Sequence, residues 1–171
     1  MATAHDASEF AQFKSTAPAW GGSGDGFGNF SVLKFHVDMK EVSDELAAAV
    51  DGSASDTIAI WDIPAGVHIL SVLMNVTKAE GATATVAIGD SDSAAGWMAA
   101  TSINALSVPV ATGVAAFGGT AVSTDTYGVI GGKMYKAVNS LKLLFATATD
   151  IDLAVFDIYV ICCFLDCAQD V

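Results

Sequence analysis

From Phe30 onward, apolar residues return at every second position in one short run after another. Side chains of a strand alternate between two faces, so this period selects half-buried β-strands over helices, whose apolar positions recur every three or four residues. In Phe30–Asp38, Leu33, Phe35 and Val37 share one face, while Lys34, His36 and Asp38 share the other, after Phe30 and Val32. Thr57–Ile63 reads as a strand closed by Pro64-Ala65-Gly66, where proline presets φ and glycine tolerates a reversal. Val67–Lys78 alternates with His68, Leu70, Val72, Met74 and Val76 on one face, and Thr83–Ile88 returns with Val86 and Ile88 inward. Residues 89–102 read as a loop around Trp97 and Met98. Further runs are Ser107–Val110, Gly113–Phe117, a hairpin of Tyr127–Ile130 and Lys133–Val138 about Gly131-Gly132, and Leu141–Thr147. One short helix is expected from a Ser43 cap through Glu45 to Val50. Short strands at this spacing predict an all-β fold, an antiparallel β-sandwich of jelly-roll type with little helix.

The last run, Ile151–Phe164, behaves differently along its length. Ile151, Leu153 and Val155 alternate with Asp152 and Ala154, whereas Ile158 through Phe164 is apolar on both faces. A strand apolar on both faces is buried on both, which in a sandwich requires a cover over the outer face, most simply another subunit. Ile158, Val160 and Phe164 are therefore candidate protein contacts.

Residues 1–29 differ from the rest and divide the chain into an extended arm and a sandwich domain, residues 30–171. The arm spaces Phe10, Phe13, Trp20 and Phe27 among small residues, and Gly21 to Gly26 forms a hinge-like run. Four aromatic rings have no use in a pure linker. Either they dock on a neighbouring subunit or partner, or they pack back on their own domain.

Hydrophobic residues make up 53% of the chain and charged residues 15%, against roughly 25% charged in ordinary soluble domains. Disorder is excluded by that balance, and a homo-oligomer is expected. The formal net charge is −12, all seven basic residues are lysines, and arginine is absent. Nucleic acid binding is excluded on this basis, because phosphate recognition uses basic patches and guanidinium forks. No apolar run reaches the length of a membrane span, and residues 1–14 lack the apolar core of a secretory signal, so synthesis in a reducing cytoplasm is expected.

The search for reactive groups yields little. Nucleophile-elbow, zinc-protease and phosphate-loop motifs are missing, and His5, His36 and His68 lie apart in an arm and two different strands. Asp90 and Asp92 in Gly89-Asp90-Ser91-Asp92-Ser93 could offer oxygen ligands to calcium, but the simpler reading is a turn in which they cap backbone N–H groups. Cys162, Cys163 and Cys167 are a poor disulfide framework, and adjacent residues of a strand cannot both face one zinc ion, so they read as small buried hydrophobes. Neither catalytic, cofactor-binding nor metal-binding residues are expected, and the chain is not read as an enzyme.

The segment DTIAIWDIPAGVHILSVLMNVTKAEGATATVAIGDSDSAAGW, Asp56 to Trp97, resembles a pattern of tailed-bacteriophage structural proteins. In that pattern a strand ends in Ile-Pro-Ala-Gly, a Val-rich strand and a Thr-Ala turn follow, and the next strand ends in Ile-Gly-Asp. The likeness extends loosely over residues 30–164, through Gly132-Lys133-Met134-Tyr135. It implies a capsid decoration, or cement, protein: a β-sandwich that sits as trimers on the outer surface of a phage head and contacts the major capsid protein. The alternatives are a tail or head-fibre receptor-binding protein with an exposed site near Trp97 and residues 89–102, or a carbohydrate-binding jelly roll.

Overall fold

The computed structural model describes residues 4–5, 29–106, 127, 132–147 and 150–164. The alternating runs become strands of two facing sheets. In chain order they are β1 (Ala4–His5), β2 (Asn29–Asp38), α1 (Met39–Leu46), β3 (Thr57–Ile63), β4 (Val67–Lys78), β5 (Thr85–Gly89), β6 (Met98–Ser102), β7 (Lys133–Tyr135), β8 (Asn139–Ala146) and β9 (Val155–Phe164). Sheet A has the order β1-β3-β8-β5-β6 and sheet B the order β2-β9-β4-β7. Consecutive strands mostly switch sheets, which is the jelly-roll path, and among the described residues every strand pairing but the parallel β1–β3 is antiparallel.

The core lies between the sheets. Leu33, Phe35 and Val37 of β2, Leu141, Leu143 and Phe145 of β8, and Phe156, Ile158, Val160 and Cys162 of β9 all belong to it and are buried, and the Phe35 ring lies 5.9 Å from that of Trp61 in β3. Burying each large side chain contributes about 1.5–3 kcal/mol, so three phenylalanines at the centre outweigh any surface ion pair.

Four sequence expectations need correction. The helix begins at Met39, not Ser43, because the Asp38 carboxylate caps the Lys40 amide at 2.9 Å and Met39 and Val42 anchor one face in the core. Along β4 the register shifts between Ile69 and Ser71, a bulge that reverses the faces. Val67 and Ile69 therefore point inward before the bulge, where His68 and Leu70 were expected, and Val72, Met74 and Val76 point inward after it. Met98–Ser102, expected in a loop, pairs with β5 through main-chain bonds that need no apolar pattern.

The fourth correction concerns Ile151–Ala154, which is not strand. Buried Glu80 accepts the amides of Asp152, Leu153 and Ala154 at 3.3, 3.0 and 2.8 Å, and Ile151 makes a lone bridge to Val50. A carboxylate binding three successive N–H groups holds the chain in a tight curve that a ladder cannot follow. Of the expected hairpin, Lys133–Tyr135 is strand and Tyr127 lies in a turn; Ser107–Val110, Gly113–Phe117 and the rest of Tyr127–Ile130 lie outside the described residues.

Candidate functional site

At one end of the sandwich, where β5 leaves sheet A, Asp90 sits fully buried at the centre of a polar cluster. Its Oδ1 accepts the amides of Asp92 and Ser93 at 2.9 and 3.0 Å and the Tyr127 hydroxyl at 3.1 Å. Its Oδ2 accepts the Tyr135 hydroxyl and the Lys133 ammonium, both at 2.6 Å. The same Nζ donates to Asp92 Oδ2 at 2.6 Å and to the Tyr127 hydroxyl at 2.9 Å, so its three N–H bonds are all committed. It also lies 4.3 Å and 4.9 Å from the ring centres of Tyr127 and Tyr135. Trp97 donates Nε1–H to the Tyr135 oxygen at 2.9 Å and meets Tyr127 edge-on.

Close packing sets this geometry. A Cβ on Gly89 would fall 2.0 Å from the Ser93 carbonyl, and one on Gly96 would fall 2.2 Å from the Tyr127 ring. Only glycine lets the turn close over the carboxylate and the ring approach the Trp97 loop.

Burial alone would raise the Asp90 pKa. Hydrogen bonds from Lys133, Tyr135 and the two amides outweigh it and hold the carboxyl below its ordinary range. Burial likewise works against the Lys133 charge, yet bonds to Asp90, Asp92 and Tyr127 raise its pKa. Tyr135 is raised by burial and then by the neighbouring carboxylate, so its hydroxyl stays a donor. An ammonium with no spare N–H and phenols that keep their protons supply neither base nor nucleophile. What the cluster does is tie the β5–β6 loop to β7. An open cleft of ≈ 320 Å³ beside it is lined by residues that include Asp92, Lys133, Lys136, Val138 and Asn139.

The second arrangement is the outward face of sheet B. There Asp157, near the start of β9, is bound by Lys34 Nζ and His36 Nδ1 of β2, each at 2.8 Å. Burial would raise the Asp157 pKa, but the bonds to Lys34 and His36 lower it. Further along the same face, Val32 pairs with Ile161 and Lys34 with Tyr159. Val32 is 64% exposed, and Tyr159 and Ile161 are half-buried.

No protein-family model and no curated protein matches this sequence. Three solved chains are similar to it in path. A chain of the cyanophage Pam1 capsid asymmetric unit is 15% identical with a TM-score of 0.46, covering 89% of this chain and 96% of that one. A chain of the capsid of Ralstonia phage GP4 is 18% identical with a TM-score of 0.43, covering 94% and 97%. A chain of the acidic stable capsid structure of Helicobacter pylori bacteriophage KHP30 is 12% identical with a TM-score of 0.41, covering 81% and 90%.

The structure redistributes the expected site residues. Ile158 and Val160 point into the core with no exposure, so any contact surface on β9 is its opposite face, with Tyr159 and Ile161. That face is already partly covered by this chain, since Asp157 and Cys163 on it are buried. Phe164 ends β9 opposite Asn29 and Val67, and its side chain, like Phe10, Phe13, Trp20 and Phe27, lies outside the described residues. Trp97 is 4% exposed, so its ring is not part of the exposed site that the receptor-binding alternative places near residues 89–102. Asp90 and Asp92 share the Lys133 ammonium as their cation, and Asp90 caps the turn as its simpler reading required. Cys162 and Cys163 are free thiols on opposite faces of β9, and burial pushes Cys162 up to about 11.

Tyr127, Lys133 and Tyr135 escaped the sequence reading. Lys133 follows the Gly131-Gly132 turn with no pattern that marks it, and nothing local connects it to Asp90, 43 residues earlier.

Proposed function

We propose that the protein is a virion structural protein, a decoration protein that binds the outside of a phage head as a homo-oligomer, a trimer, and stabilises contacts of the major capsid protein. The observation carrying this reading is a jelly roll whose most reactive-looking cluster is satisfied by its own side chains and turn amides, in a chain with phage structural-protein strand motifs. Such a domain offers rigid surface rather than chemistry. Its charge of −12 without arginine suits a position away from DNA. Its contacts are the arm aromatics Phe10, Phe13, Trp20 and Phe27 and the outward face of sheet B around Val32, Tyr159 and Ile161. An interface of standard size, roughly 1,600 Å², suffices for stable attachment when its core is apolar.

The test is cosedimentation of the purified protein with expanded heads assembled without it. Saturable binding at a fixed ratio per capsomer, with a raised disruption temperature of the heads, is expected. Failure to bind, or recovery with tails when virions are fractionated, overturns the reading.

A further inference from the structure

The edge of sheet A holds a pairing that the chain makes with very little of itself. β1 is two residues long and meets β3 in parallel at Ala4↔Thr57 and His5↔Ile58. It belongs to sheet A, whereas the next described strand, β2, forms an edge of sheet B. Residues 6–28 connect them, 23 positions that span at most about 80 Å when extended. The connection includes Gly21, Gly22, Gly24 and Gly26, which place no side-chain bulk in its path.

We propose that β1 is exchanged between copies, so that β1 of one subunit adds to β3 of its neighbour in the oligomer. Strand addition works through main-chain hydrogen bonds, so β3 does not distinguish its own N-terminus from that of an identical chain. A single chain has only its own β3 to pair with. In an oligomer, a neighbouring β3 within the same reach offers the same two residue pairs, and exchange of an identical element needs no new recognition surface. Pairing in cis must close the long connection against its entropy. Pairing in trans spends the same ordering to join two subunits. This inference rests on the oligomeric part of the proposed function and not on attachment to a shell.

The experiment replaces Ala4 alone, by the photo-crosslinker benzoylphenylalanine, in full-length protein. Light and 15N-labelled chains are mixed in equal parts unfolded, refolded, sized by light scattering and irradiated. Exchange predicts an oligomer in which about half of the crosslinked pairs between residue 4 and β3 join a light to a heavy peptide, the statistical share for a swapped strand. An oligomer giving only all-light and all-heavy pairs overturns exchange and leaves the oligomer standing. A monomer overturns both. A second variant, Ala4→Cys with Thr57→Cys in a chain whose three native cysteines are alanine, repeats the test on a non-reducing gel: covalent multimers support exchange and closed monomers overturn it.

Discussion

Asp90 and Asp157 are both carboxylates bound by a lysine, yet they sit in opposite electrostatic settings. The Asp90 side chain has no exposed surface and its lysine is 18% exposed, walled by two tyrosines. Asp157 is 9% exposed, but Lys34 and His36 stand more than half in water. The ion pairs differ little in length, 2.6 against 2.8 Å, so distance does not separate them. What separates them is the alternative open to each carboxylate when its cation leaves: water reaches the surface cluster and does not reach the buried one.

Four variants or conditions sharpen that contrast. The largest effect is expected from Lys133→Met, which keeps the stem and removes the charge. Asp90 is then a buried carboxylate without a cation, and stability should fall by about 3–5 kcal/mol in urea unfolding. Adding Asp90→Asn should recover part of the loss. A loss below about 1 kcal/mol would mean that the amides and tyrosines alone satisfy Asp90.

Glu80→Gln comes next, because Glu80 is held by backbone donors with no cation among its described partners. One oxygen becomes an amide nitrogen facing N–H groups, and a loss of about 1–3 kcal/mol is expected, with faster hydrogen exchange confined to residues 152–154.

The third is acid. Asp90 and Asp157 both have folded pKa values below the unfolded one, so each contributes stability that is present above about pH 4 and is lost as pH falls through the folded value. Lys133 has a raised folded pKa, so its contribution is present below about pH 10 and fades above it. The Asp90 and Lys133 contributions describe one interaction from two ends and are not added. Acid unfolding midpoints should move upward in Asp90→Asn more than in Asp157→Asn; the reverse order would invert the comparison.

The smallest effect is expected from Lys34→Met, a change that disappears in high salt because its charge is exposed and screened. A salt-insensitive loss would show that the sheet B cluster behaves as a buried one.

The sandwich was legible because period two is a local signal. Leu33, Phe35 and Val37, then Leu141, Leu143 and Phe145, are buried as their alternation requires. Misreadings arose where one residue changes the parity or a side chain captures the backbone. The bulge before Ser71 moved His68 and Leu70 to the outer face, and Glu80 bent Ile151–Ala154 out of the ladder. Neither event has a sequence period, since each depends on a partner strand or on a residue some seventy positions away. The double-sided apolar run of β9 divides its burial between two faces. Ile158 and Val160 belong to the core, and the outward side is shared among neighbouring strands and solvent.

The sequence by itself determined the fold class, the inward faces of most strands, the acidity of the chain and the turn at Asp90. These follow from alternation, composition and short-range turn chemistry, which act within a few residues. The tertiary structure decided which residues meet: Lys133 with Asp90, Lys34 and His36 with Asp157, Glu80 with the 152–154 amides, and Ala4 with Thr57. Those pairings join positions far apart in the chain, and their geometry exists only once two sheets have closed on a common core.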